Sequence, residues 1–268
     1  GYSVDLSLGV NDRTLFHADS SYFYPDAAIR SRRLKTDTCS NTAFRGFGGP
    51  QGMLAAERMI DAIAIKTGRD PLDIRKLNFY DGERNLTPYG MPVEEYAVMH
   101  DLIAQLEESS DYWSRRDDVR DFNAVNAVLK KGLALTPVKF GISFTLKHLN
   151  QAGALVHLYT DGSVHLNHGG TEMGQGLYQK VAQVVAEEFG VTLEKVRITA
   201  TNTSKVPNTG PTAASSGTDL NAMAAKLAAQ EIKGRLISFL CEQHQCGPEA
   251  IHFGDNKVLI GDQSFTLA

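Results

Sequence analysis

The sequence predicts an α+β protein of two lobes, each built from mixed sheets and helices. In the first half, apolar residues recur at the spacing of one helix face. From Gly132 onward, segments rich in β-branched and aromatic residues alternate with helix-type segments. A chain of 268 residues is long enough for two domains. The lobes are expected at residues 1–115 and 132–268.

The first lobe is predicted to begin with short strands and to continue with helices. Residues 1–48 are assigned to strands and turns, because residues 3–8 alternate between apolar and polar side chains. A helix is predicted over 51–66, with Gly68 ending it. Pro71 is expected to open a second helix that runs to Leu77. Two further, largely polar helices are predicted over 93–108 and 111–130.

The second lobe is predicted to begin with strands over 133–144 and 153–167. Asp161 and Gly162 are typical of a tight hairpin turn. A glycine loop leads into a helix over 177–189, which Gly190 is expected to end. A strand over 196–201 and an alanine-rich helix from Asp219 to about His244 complete the prediction.

The composition excludes several classes of protein. The net charge is 27 − 31 = −4, which argues against a general binder of nucleic-acid phosphates. The sequence contains no run of 18 apolar residues, so it predicts no membrane-spanning helix. Three cysteines form no CxxC pair, which indicates reduced thiols in a cytoplasmic protein. An enzyme or a piece of one remains. Residues 3–8 alternate as in a strand from the start of the sequence, and residues 264–268 end on an apolar stretch, so an internal fragment is expected.

Two glycine clusters, at residues 43–52 and 168–176, each precede a predicted helix. Glycines there let backbone N–H groups approach a ligand, and a helix N-terminus favours anions. Neither cluster fits the GxGxxG dinucleotide fingerprint or the Walker-A pattern. Each alone could be a tight strand-to-helix turn. Together with the polar loop 207–217, they favour one large anionic cofactor.

Four segments, residues 40–52, 139–145, 169–176 and 211–215, resemble the signatures of molybdenum hydroxylases of the xanthine dehydrogenase type. The similarity keeps its spacing from about residue 4 to residue 240. It implies parts of the two cofactor-binding lobes of a molybdopterin-binding subunit, about a third of its length. The implied reaction is hydroxylation of a purine carbon with oxygen from water. Electrons would pass to 2Fe-2S clusters, FAD and NAD, which other domains or subunits bind.

The resemblance also implies roles for single residues. Arg45 and Ala214 match positions whose backbone contacts the molybdenum centre. Cofactor contacts are further implied for Gly46, Gly174, Gln175, Gly176 and Ser215. Substrate contacts are implied for Arg13, Phe47, Phe144 and Thr145, with the two rings holding the purine and Arg13 orienting it.

Other interpretations of these residues stay open. Phe47 and Phe144 could be core residues, and Arg13, placed on a strand, could be a solvated surface cation. His165 and His168 could suggest a metal site, but a spacing of three on a strand points them to opposite faces. The resemblance gives Glu172 no catalytic role.

The family's proton-abstracting glutamate, which lies near the end of its subunit, has no counterpart in this sequence. Activity is therefore expected to need the remaining subunit segments. Alternatives to a purine hydroxylase are an aldehyde oxidase and a non-catalytic glycine-loop domain that binds an anion or a partner protein.

Overall fold

The computed structural model describes residues 1, 5–205 and 209–268. These residues divide into two compact units, Gly1–Gly141 and Ile142–Ala268. The first part of the alternating stretch 3–8 and part of the loop 207–217 lie outside the described residues. The first unit contains five helices in its described part: α1 Ser7–Phe16, α2 Gly49–Thr67, α3 Pro71–Leu77, α4 Tyr96–Ser109 and α5 Tyr112–Val125.

The strand predicted near the start of the chain is wrong, because residues 7–16 form helix α1. This helix packs against α2 at two glycines. A Cβ atom on Gly48 would stand 2.0 Å from the carbonyl oxygen of Val10, and one on Gly52 would stand 2.4 Å from that of Thr14. The backbone of α1 therefore occupies the space that two side chains of α2 would need.

The predicted helices α2 and α3 are confirmed, as are their ends. Gly68 ends α2 in the left-handed conformation, with φ of 67°. The carboxylate of Asp70 accepts a hydrogen bond of 2.8 Å from the backbone N–H of Leu72 and caps α3. Helix α5 ends at Val125, five residues before the predicted end.

A buried ion-pair network lies beside the apolar core of the first unit. The Arg75 guanidinium donates to Glu57 and Asp61, each at 2.8 Å. The Tyr22 hydroxyl donates to the other oxygen of Glu57 at 2.6 Å. Leu133 packs against the same apolar core.

The strand predicted over 133–144 is wrong. These residues are all described, and they form neither a strand nor a helix.

The second unit has a three-stranded sheet covered by two helices. Strands β1 Ala154–Leu158 and β2 Val164–His168 form the predicted antiparallel hairpin, and β3 Val196–Ile198 runs parallel to β2. Helices α6 Leu177–Phe189 and α7 Gly217–His244 pack on this sheet. Gly190 ends α6 with φ of 61°, as predicted. The core consists of apolar residues of the sheet and both helices.

A second antiparallel sheet near the end of the chain was not predicted. It consists of β4 Ile251–Gly254, β5 Lys257–Ile260 and β6 Gln263–Thr266. Asp255 and Asn256 connect β4 to β5, and both have positive φ, which is typical of a type I′ hairpin turn. The backbone N–H of Asn256 donates to the carbonyl of Gly190 at 2.8 Å and links this sheet to the end of α6.

Candidate functional site

Backbone strain occurs in three of the segments that the sequence motifs predict to form the site, and also at six other described residues. Among the described non-glycine residues with positive φ are Phe47 at 52°, Ser143 at 80°, and Ala214 and Ser215 at 59° each. Such a conformation costs about 1–3 kcal/mol per residue and persists only where the surrounding structure holds it. It is typical of ligand-binding and catalytic segments.

In the first unit, the selected segment is a tight turn directly before α2. The N–H of Phe47 donates to the carbonyl of Phe44 at 2.7 Å, and the N–H of Gly49 donates to that of Gly46 at 3.0 Å. Arg45 is exposed, whereas Gly46 and Phe47 are half-buried. The interpretation of Phe47 as a core residue is therefore wrong. The turn presents its backbone at the surface of this unit, together with the ring of Phe44, which is 83% exposed, and part of the ring of Phe47.

Arg13 lies in helix α1 and is only 4% exposed, so the expectation of a solvated cation on a strand is wrong. Its guanidinium donates to the carbonyl oxygen of Gly141 and lies 5.2 Å from the ring centre of Phe140. Burial lowers the pKa of Arg13. This environment is that of a structural anchor for the segment 139–141.

His17 holds the other side of Gly141. The backbone N–H of Gly141 donates to Nε2 of His17 at 3.0 Å, so this nitrogen is the acceptor. Nδ1 therefore carries the proton of the neutral ring and donates to the carbonyl of Arg13 at 2.9 Å. Burial lowers the pKa of His17, which favours this neutral form. His17 and Arg13 together fix the peptide groups on both sides of Gly141.

In the second unit, Asn150 fixes the backbone of Phe144. Its side-chain amide donates to the carbonyl of Phe144 at 2.7 Å and accepts from its N–H at 2.8 Å. The neighbouring Ser143 donates from its N–H to the carbonyl of Ala214 at 2.9 Å. Phe144 is half-buried, not a core residue, and Thr145 is exposed. The sequence analysis missed Asn150, since an asparagine six residues away carries no motif signal.

The glycine loop before α6 is closed by two of its own side chains. The carboxylate of Glu172 accepts from the backbone N–H groups of Gly174 at 2.8 Å, Gly176 at 3.0 Å and Tyr178 at 3.0 Å. These bonds, that from Tyr178 above all, lower the pKa of Glu172. Gln175 accepts from the N–H of Met173 at 2.6 Å and donates to the carbonyl of Thr171 at 2.8 Å.

The surroundings of His165 and His168 do not form a metal site in the part of the chain that the structure describes. His168 is buried and its Nδ1 accepts from the N–H of Gly170 at 3.1 Å. Over residues 5–205 and 209–268, no group of three or more histidine, cysteine or acidic side chains could hold a metal ion. The loop at 172–178 instead gathers backbone N–H donors around a carboxylate, which is the donor set that suits anionic oxygens.

Comparison with known proteins identifies the family. Residues 1–79 and 105–268 match the families described as molybdopterin cofactor-binding domain. The chain therefore belongs to the molybdopterin cofactor-binding domain family, and molybdopterin is its cofactor. The exposed tip of the glycine loop leaves room for this cofactor, because a Cβ atom added to Gly174 would meet no atom of the described residues within 4 Å.

Relatives of known activity include xanthine dehydrogenase/oxidase from Gallus gallus, 49% identical over 236 residues, which are 88% of this chain and 17% of that protein. Nicotinate hydroxylase from Emericella nidulans is 49% identical over 238 residues, 88% of this chain and 18% of that protein. The chain thus spans about a sixth of the length of these relatives. The resemblance to molybdenum hydroxylases of the xanthine dehydrogenase type is confirmed.

The fold is shared with quinoline 2-oxidoreductase from Pseudomonas putida 86, with a TM-score of 0.71 and 20% identity. The match covers 95% of this chain and 33% of that protein, and it confirms the α+β class. In the part of the chain that the structure describes, no helix combines the length and apolarity needed to cross a membrane.

Proposed function

We propose that this chain is part of a molybdenum hydroxylase that hydroxylates a carbon of hypoxanthine or xanthine. The 49% identity to a xanthine dehydrogenase/oxidase over 88% of the chain carries this proposal. When bound, molybdopterin supplies the redox chemistry, and this chain binds and orients the cofactor and the substrate. The remaining segments of the molybdopterin subunit and an iron–sulfur and FAD partner complete the proposed enzyme. The free thiols support a cytoplasmic location.

The proposed cofactor contacts are made chiefly by backbone. In the first unit they are those of Arg45 and Gly46, with the Arg45 backbone near the molybdenum. In the second unit the Ala214 backbone has the same role. Positive φ at Gly46 and Ala214 supports these assignments, because such backbone conformations recur where a chain approaches a ligand closely. The other proposed contacts of the second unit are Gly174, Gln175, Gly176 and Ser215.

The proposed substrate contacts are Phe47 in the first unit and Phe144 and Thr145 in the second. Half-buried rings on fixed backbones are suited to hold a flat heterocycle by stacking and edge contacts. Arg13, to which the resemblance assigns a substrate contact, is proposed instead to act through Gly141, because its guanidinium is buried against that carbonyl.

Replacement of Arg13 by Met tests this assignment in the assembled hydroxylase. The charge-assisted hydrogen bond holds Gly141 in place, and a small displacement of a positioning segment can cost about 100-fold in rate, so we expect turnover to fall by about 100-fold. An anchor of Gly141 should lower xanthine and aldehyde turnover equally. The exposed Arg30→Met serves as control and should change neither. A loss confined to purines would restore Arg13 as a substrate contact.

Nicotinate hydroxylation is the second candidate, because the identity to a nicotinate hydroxylase is equally high. Purified hydroxylase that contains this chain should be assayed with xanthine, nicotinate and an aromatic aldehyde, with dye reduction and transfer of ¹⁸O from labelled water as readouts. We expect xanthine to give the highest kcat/KM. Preference for nicotinate or the aldehyde would overturn the purine assignment. A purified enzyme that contains no molybdenum and turns over none of the three substrates would overturn the assignment to the molybdenum hydroxylases.

A further inference from the structure

We propose that Glu172 is a positioning residue that keeps the glycine loop in shape, and that the cofactor binds the loop in this shape. The first part concerns contacts within this chain. The second part rests on the proposed function, since it assigns this loop to cofactor binding. Neither the sequence motif nor the relatives assign Glu172 a role.

The contacts show that Glu172 caps helix α6 from outside the helix. Gly176 stands at the N-cap position and has no side chain to accept the free N–H groups of the first turn. The carboxylate of Glu172, four residues earlier, accepts from Gly176 and Tyr178 and also from Gly174 in the loop. Its charge suits the positive end of the helix dipole. The loop and the first turn are thereby joined at one carboxylate.

The backbone conformation explains why the loop needs such a support. Gly174 and Gly176 have φ of 92° and 74°, a region that glycine enters freely and from which it also leaves freely. Three hydrogen bonds to one charged acceptor hold these flexible residues in place. The groups that lower the pKa of Glu172 are backbone N–H donors, and the Cε atom of Lys180 on α6 lies 4.0 Å from where a Cβ atom of Gly176 would stand.

Gln175 and Glu172 have separable tasks in the loop. The Gln175 amide makes two neutral hydrogen bonds, to Met173 and Thr171. Glu172 makes charge-assisted bonds to different N–H groups, and such bonds are about twice as strong as neutral ones. The two side chains therefore hold different backbone groups of the loop, and a change at Glu172 can be tested apart from Gln175.

An NMR titration of the 268-residue chain tests the first part without any cofactor. Because the pKa of Glu172 is lowered, its contacts are complete above the ordinary glutamate value of 4.5 and are lost as pH falls through the lower folded value. We expect the amide signals of Gly174, Gly176 and Tyr178 to shift together with one midpoint below 4.5. Glu172→Gln should abolish this titration, whereas Glu187→Gln, which removes an exposed charge from the same helix, should keep it.

Hydrogen exchange and pterin content complete the test. We expect Glu172→Gln to accelerate exchange of the three amides by about tenfold or more, with the core of α6 unchanged. In the assembled hydroxylase, the same variant should retain several-fold less molybdopterin than Glu187→Gln.

The outcomes separate the two proposals. Amides that do not titrate, or that still titrate in Glu172→Gln, overturn the role of Glu172. Equal molybdopterin content in both variants also overturns it, with the proposed function intact. A parent enzyme without molybdopterin overturns the proposed function, while the amide titration remains valid.

Discussion

Arg75→Met is expected to lower the free energy of unfolding of the first unit by about 3–5 kcal/mol, the usual cost of breaking a buried ion pair. The side chain of Arg75 is 2% exposed and that of Glu57 is 16% exposed. Methionine would leave the Glu57 carboxylate with Tyr22 as its remaining partner among the contacts described above, in a region that water reaches poorly. Fluorescence of Trp113, the single tryptophan, follows unfolding of this unit in denaturant.

Arg120→Met provides the matched control in the same unit. Arg120 pairs with Asp117, but their side chains are 70% and 63% exposed, and such pairs contribute about 0–1 kcal/mol. Similar losses in both variants would show that the Arg75 network behaves like a surface ion pair.

Phe144→Ala is expected to reduce turnover of the assembled hydroxylase about 100-fold, the scale of loss when a substrate is misplaced. Its effect on stability should stay below the roughly 3–5 kcal/mol typical of a buried phenylalanine, because the ring is half-buried. Phe47→Ala is expected to behave likewise. Kinetics, molybdenum content and melting temperature are to be measured on the same preparations.

Phe189→Ala supplies the structural control, because Phe189 is fully buried in the core of the second unit. It should cost about 3–5 kcal/mol of stability. A Phe144 variant that loses stability and molybdenum in the same proportion as the Phe189 variant would contradict a role in substrate binding.

Helices with a local signal could be predicted from the sequence, and those that depend on distant contacts could not. Helix α2 has a regular apolar face and Gly68 at its end, so sequence spacing sufficed. Helix α1 depends on Gly48 and Gly52, some 40 residues away, which leave room for its backbone. The alternation at residues 3–8, of which only residues 7 and 8 lie in α1, favoured a strand and gave no signal of this contact. The β4–β5 hairpin, in contrast, has Asp255 and Asn256 at its turn, residue types that tolerate positive φ, so its turn has a local signal in the sequence.

The candidate site follows the same division. The sequence motifs located the segments that contain Phe47 and Phe144, because these motifs are long and specific to the family. They did not reveal the residues that fix those segments, since Asn150 and His17 act through backbone groups. Such contacts depend on chain geometry and leave no pattern in one sequence. The burial of Arg13 was missed for the same reason, because Gly141 lies 128 residues away.

The hydrogen bond from Ser143 to Ala214 has a consequence for how this protein can evolve. It joins two residues that both have positive φ, so relaxation at one position removes the partner that supports the other. Effects of substitutions at contacting sites commonly deviate from additivity by about 0.5–3 kcal/mol. A replacement at residue 143 should therefore be tolerated or rejected according to which residue occupies position 214. We therefore expect these two positions to be epistatic, which a double-mutant cycle on stability at residues 143 and 214 would measure.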